Sequence, residues 1–169
     1  MHRSLRAPHG LRVYFDSMLI TPRLILRPWT QADLPALEAS LGDADVMQFS
    51  DDGPLGLDAR QDWLAAVLRD ASNETRAIER RKDGACVGYL SLKRDPERLG
   101  ADALELGIRL ARCAWGAGLA QEACLHALDE ARDGSEAKQV QACVDPNNTR
   151  SLALMSALGM TRVGEIMLP

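Results

Sequence analysis

Residues 113–123, CAWGAGLAQEA, constrain this 169-residue chain more than any other stretch. Before them, ADALELGIRL (101–110) alternates Leu104, Leu106, Ile108 and Leu110 against Glu105, Gly107 and Arg109, the period of a strand. After them, Ala120, Ala123, Cys124, Ala127, Leu128 and Ala131 recur at helical spacing, on a face small enough to lie close on a sheet. A strand therefore hands over to a helix through Gly116 and Gly118. The first N–H groups of a helix have no partner, and the helix dipole is positive there. Glycine leaves those amides uncovered, so the corner suits a phosphate. A tight turn that binds nothing reads the same way.

Three phosphate sites compete for such a corner. A P-loop needs GxxxxGK[ST], and the sequence holds no Gly-Lys-Ser/Thr. A dinucleotide site needs a small residue where Gln121 stands, although Asp145, at the end of the next strand, would suit a ribose. That fold also wants the unit early, followed by further βαβ repeats; here a hairpin-rich half precedes it. The third candidate is coenzyme A.

The rest of the chain reads as β, α, α, β, β, β, α, β, α, β. LITPRLILRPW (19–29) is expected to be one strand with Leu24 and Leu26 inward and Arg23, Ile25 and Arg27 outward. A helix follows from TQADLPALEASL; Thr30 with Asp33 resembles a capping box, while Pro35 favours Asp33 as the N-cap. Residues 42–57 form a Gly/Asp-rich connection. Asp58 caps a second helix that turns Trp63, Leu64, Val67 and Ala71 to one side. TRAIERR and ACVGYLSLK flank KDG as a hairpin. KQVQACVD (138–145) is a strand, Pro146-Asn147-Asn148 turns into a helix ended by Gly159, and TRVGEI opens another strand. The fold class is α/β with a mixed sheet covered by helices on both faces.

Charge and composition narrow the function. A net charge of −4 argues against a nucleic-acid partner, and no apolar run is long enough to span a membrane. Cys86, Cys113, Cys124 and Cys143 form no CxxC pair, so neither zinc nor any other metal is expected, and a reducing cytoplasmic setting fits. Residues 1–17 carry three Arg, two His and no continuous apolar core; they read as a disordered tail, or as an upstream start ahead of Met18. Residues 18–169 read as one domain.

Three segments in order, LITPRLILRPWTQADLPAL, LELGIRLARCAWGAGLAQEA and VDPNNTRSLALMSALGM, resemble the GNAT N-acetyltransferase superfamily over about residues 18–166. The resemblance is nearest to the RimJ/RimL-type ribosomal-protein N-terminal acetyltransferases. It implies a mostly antiparallel twisted sheet and transfer of acetyl from acetyl-CoA to a primary amine by direct attack in a ternary complex. The acceptor is a protein N-terminus or a small-molecule amine, and a homodimer is compatible with it. The alternative is a non-catalytic acyl-CoA-binding or interaction protein on the same fold.

The family's Arg/Gln-x-x-Gly-x-Gly/Ala motif falls on Trp115, Gly116, Ala117, Gly118, Leu119 and Ala120, with Trp115 in the Arg/Gln place. The amides of Gly116 to Ala120 would cradle the coenzyme pyrophosphate; Trp115 reads equally as a core anchor. Backbone groups of Ile108 and Leu110 would align the pantetheine arm. Asn148 and Ser151 match an Asn-x-x-Ser that touches the coenzyme, and helix capping explains Asn148 as well. Glu105 stands where many members carry the general base; a solvent-facing strand glutamate is its plain alternative. A base matters because roughly a tenth of an α-amino group is neutral at pH 7. A backbone N–H near Leu110 would meet the oxyanion. The family's acid, a Tyr, is replaced by Met155. Asp43, Asp45, Asp51 and Asp52 would form an acidic rim for a cationic amine, or an ordinary solvated loop. The family's last strand, beside residues 138–145, is expected to be missing.

Overall fold

Thr21 and Pro22 break the first apolar segment. The computed structural model, which describes residues 18–70, 72, 74–95, 99–100, 102–135 and 137–164, places two short strands there, β1 (Leu19–Ile20) and β2 (Leu24–Arg27). The expected single strand fails because Thr21 turns the chain back. Its N–H donates to the Leu24 carbonyl at 2.9 Å, and its hydroxyl accepts from the Leu24 N–H at 2.9 Å. The tail at 1–17 lies outside the described residues.

β3 (Thr75–Arg80), β4 (Ala85–Arg94) and β5 (Ala103–Leu110) fall where strands were expected. With β6 (Gln139–Gln141) they form a six-stranded sheet in sequence order, antiparallel throughout except for the parallel pair β5–β6. The strand expected over 138–145 is thus only three residues long. Residues 161–164 of TRVGEI form no strand, and 165–166 lie outside the described residues.

One face of the sheet carries Leu24, Leu26, Ile78, Leu90, Leu104 and Leu106, packed on Ala123, Cys124, Ala127 and Ala131 of α2 (Leu119–Gly134). Those small residues let the helix approach closely, as their spacing foretold. Arg76 of β3 lies within this packing, only 1% exposed, and its Nη2 meets Glu130 Oε2 of α2 at 2.7 Å. On the opposite face Ala77 of β3 joins a second cluster, made with Trp29, Leu37, Leu41 and Met47 from the segments after β2 and with Leu64 of α1 (Leu57–Arg69). Trp29 and Trp63 meet edge to face at 5.2 Å. α1 begins behind Gly56, so Asp58 sits in the first turn and is not the cap.

The helix expected at 30–41 divides into a 3-10 turn, Gln31–Asp33, and a π-helical turn, Glu38–Gly42. Pro35 between them has no N–H to continue a ladder. Thr30 is the N-cap, and Asp33 is the residue that reaches back to it: its Oδ2 accepts from the Thr30 N–H at 2.8 Å and the Thr30 hydroxyl at 2.9 Å. Arg27 adds a two-pronged pair to the same carboxylate at 2.8 and 2.9 Å. Burial alone would push the Asp33 carboxyl up; the bonds from Arg27 and Thr30 outweigh it and hold it below the usual carboxylate range. A carboxylate depressed in the folded state stabilises the fold above its unfolded value of about 4 and loses that contribution as pH falls through the folded value. Urea melts of Asp33→Asn between about pH 3 and about pH 6 should therefore show a flatter acid limb than the parent. An unaltered limb would assign the acid sensitivity to other carboxylates.

Candidate functional site

β5 and β6 pair only over Ala103–Glu105 and Gln139–Gln141, and part beyond Glu105. The antiparallel ladder fixes what the parting exposes. Ala111 donates to the Val87 carbonyl of β4 at 2.8 Å, so by alternation Arg109 and Gly107 also bond toward β4. The backbone groups of Ile108 and Leu110 point the other way, to the open side. This is the edge on which the resemblance placed a pantetheine arm. The Leu110 carbonyl, however, already accepts from Trp115 Nε1 at 2.8 Å, which leaves the Leu110 N–H as the group on offer.

Directly beyond lies the glycine corner. Arg112–Ala114 make one 3-10 turn, Trp115 is extended, and Gly116 and Gly118 both have φ of 73°. Gly118 is the N-cap of α2, whose first bond runs from the Glu122 N–H to the Gly118 carbonyl at 3.1 Å. Among the described residues, no backbone acceptor meets the N–H groups of Gly116, Ala117, Gly118, Leu119, Ala120 or Gln121. A Cβ at Gly116 would touch nothing within 4 Å, so the corner is uncovered. Six N–H groups without a backbone acceptor among the described residues, around two left-handed glycines, fit a diphosphate.

Trp115 is half-buried against the first core cluster, so the anchor reading describes what its ring does. On its other side the Arg150 guanidinium lies 3.8 Å from the ring centroid. Arg23 reaches the corner from the turn before β2, with Nη1 donating to the Ala117 carbonyl at 2.7 Å. The sequence reading gave neither arginine a role here. Each looks like a surface charge, and only the contact across the fold assigns it. Asn148 caps α3 (Thr149–Ala157) by accepting from the Ser151 N–H at 3.1 Å, the capping role that its sequence position already allowed.

Glu105 stands at the fork, the last residue of the parallel pair, level with Lys93 of β4 and Gln141 of β6. It is half-buried, on the face opposite Leu104 and Leu106. Farther along that face Arg109 lies over the Tyr89 ring at 6.0 Å and donates to Met47 Sδ at 2.6 Å. Burial, only partly offset by Arg109, pushes the Tyr89 hydroxyl up. Met155 packs on the core cluster.

Two of the four aspartates expected at the acidic rim are paired. Asp43 and Asp45 hold Arg112 at 2.9 and 2.7 Å, and Glu38 holds Arg60. An open depression of about 610 Å³ is bordered by Glu38, Asp43, Asp45 and Arg112, and each of those acids holds an arginine. Among the described residues, no group of three His, Cys, Asp or Glu could hold a metal ion, and no helix is long and apolar enough to cross a membrane.

The family model of the acetyltransferase (GNAT) domain matches residues 23–161. An uncharacterized N-acetyltransferase, p20, of Bacillus licheniformis is 27% identical over 154 residues, covering 86% of this chain and 83% of the relative. The crystal structure of a GNAT-family acetyltransferase from Bacillus anthracis superposes with a TM-score of 0.76 at 21% identity, covering 87% of this chain and 85% of the other. That of a ribosomal-protein-alanine N-acetyltransferase from Brucella melitensis gives 0.64 at 28% identity, covering 82% and 85%. The matched span begins at the arginine that braces the glycine corner and ends beyond the helix that Asn148 caps; on that extent, the chain belongs to the GNAT family of acetyltransferases.

Proposed function

We propose that the protein transfers acetyl from acetyl-CoA to a primary amine, and that the acceptor is a protein N-terminus. One observation carries the reading: the open edge at Ile108 and Leu110 runs from the Glu105 carboxylate to a corner of unpaired amides. That line offers a base at one end, backbone partners along it and phosphate donors at the other. In this arrangement the amides of Gly116 to Ala120 hold the diphosphate. Trp115 fixes the corner and keeps Arg150 beside it. Asn148 and Ser151 line the flank. Ile108 and Leu110 align the pantetheine arm as a neighbouring strand would, and the Leu110 N–H faces the thioester oxygen as charge develops there.

Glu105 accepts the proton that the amine sheds on attack, through water where the amine does not reach it. The departing thiol has an intrinsic pKa of about 8.5, so it leaves without a strong acid. This matches a position, Met155, that cannot donate a proton. An α-amino group suits such a site better than a lysine. Its pKa is near 8 against about 10.4, so far more of it is neutral at pH 7. The Brucella relative's name points to the same acceptor class.

The first test is a thermal melt with acetyl-CoA, with NAD as the control. Ligand that binds only the folded state raises stability with the logarithm of its saturation. A rise with acetyl-CoA alone is expected; a flat response would refute the reading of the corner. Free thiol released in the presence of N-terminal peptides, and not of polyamines, then checks the acceptor. Glu105→Gln should lower kcat by about a hundredfold or more while coenzyme affinity is kept. An undiminished kcat in that variant would remove Glu105 from the chemistry.

A further inference from the structure

The turn between β1 and β2 sends Arg23 onto a segment 94 residues away. Its Nε donates to Glu122 Oε2 at 2.6 Å, and its Nη1 donates to the Ala117 carbonyl at 2.7 Å. Its backbone N–H donates to Glu122 Oε1 at 2.8 Å, and the Thr21 hydroxyl donates to the same oxygen at 2.5 Å. Ala117 lies between the two left-handed glycines, and Glu122 closes the first bond of α2. One guanidinium therefore grips the chain on both sides of Gly118.

The grip falls where the backbone has least hold of its own. Glycine is the most pliable residue, and among the described residues no backbone acceptor stiffens the amides of Gly116 to Gln121. Fixing a residue's backbone costs conformational entropy. A corner left to wander would lose that cost from its affinity for an anion, whereas a corner already braced would not. The guanidinium itself lies against the site: a Cβ on Gly118 would sit 3.6 Å from Arg23 Nη2.

We propose that Arg23, held by Glu122, is a positioning residue for the phosphate end of the coenzyme site, acting through the Ala117 carbonyl. The inference rests on the reading of the glycine corner as the diphosphate site. It goes beyond that reading by placing a determinant of coenzyme affinity in the turn between the first two strands. The brace needs the two-pronged geometry of Arg. Lys offers one compact ammonium and cannot span a carboxylate and a carbonyl together.

The test uses the full chain and the variants Arg23→Ala, Arg23→Lys and Glu122→Gln. Affinities are measured for coenzyme A and for pantetheine, which lacks phosphate, alongside a melt of each unliganded protein. All three variants are expected to bind coenzyme A about tenfold or more weakly, while pantetheine affinity stays at the parent value. A double variant, Arg23→Ala with Glu122→Gln, should lose no more than the worse single change. Equal losses for both ligands would overturn the proposal in favour of general damage to the fold. Full rescue by Arg23→Lys with a silent Glu122→Gln would overturn it in favour of a bare charge effect. A parent protein that binds pantetheine as tightly as coenzyme A would instead overturn the diphosphate reading itself, and the brace with it.

Discussion

Gly118→Trp should weaken coenzyme A binding by more than a hundredfold while the protein still folds. The backbone at Gly118 has φ of 73°, and a Cβ there meets only Arg23 Nη2 at 3.6 Å, an ordinary contact. The folded chain can therefore take a side chain at a cost of about 1–2 kcal/mol for the left-handed conformation. What it cannot keep is access. An indole at the N-cap of α2 stands over the amides of Leu119 and Ala120, which have no other acceptor among the described residues. Gly118→Ala separates the two effects, because a methyl group adds the backbone cost and leaves most of the corner open. Calorimetric titration with coenzyme A reads both variants. Parent-like affinity in Gly118→Trp would mean that the corner is a turn and nothing more.

The second large effect is on stability. Glu130→Ala should cost about 3–5 kcal/mol, because it removes the carboxylate that the Arg76 guanidinium, itself only 1% exposed, meets at 2.7 Å. For a chain of this size each kcal/mol moves the melting temperature by about 2–4 °C, so the variant should melt about 6–20 °C lower. Replacing the pair together, Arg76→Met with Glu130→Leu, should recover most of that loss, since apolar residues of similar volume avoid the desolvation that the ions suffer. Denaturant unfolding of the three proteins is sufficient. A loss below about 1 kcal/mol in Glu130→Ala would show that water reaches the pair, as it does at surface ion pairs.

The parts of the fold legible in the sequence are those whose signal is local. β5 alternates in sequence, KDG joins β3 and β4 as a hairpin, and α2 and α3 carry their own caps and apolar faces. The glycine corner was legible for the same reason: strand, glycines and helix are contiguous. Departures arose where a local signal was outweighed by its neighbours. Alternation from Leu19 to Trp29 suggested one strand, but the Thr21 hydroxyl and Pro22 fold it into two. The pattern from Thr30 to Leu41 suggested one helix, which Pro35 interrupts.

The site was legible as a set of segments, and much less so as an arrangement. Glu105 could be placed on a strand and on a face, but its position at a fork depends on β6, a partner far along the chain. Arg23 and Arg150 act at the corner through contacts that no spacing announces. Asp43 and Asp45 looked like bare acid in their loop, because the arginine that pairs with them, Arg112, lies 69 and 67 residues away.

The parting of β5 and β6 has an evolutionary consequence on the proposed reading. A coenzyme arm aligned on Ile108 and Leu110 meets peptide groups, which every residue but proline supplies alike. Substitutions at those positions can then drift with core packing and leave cosubstrate recognition untouched. The face that carries Glu105, Tyr89 and Arg109 presents side chains instead, so changes there alter which amine is accepted. On that reading, one edge of a single strand holds the coenzyme half of the reaction constant while the other half is open to diversification.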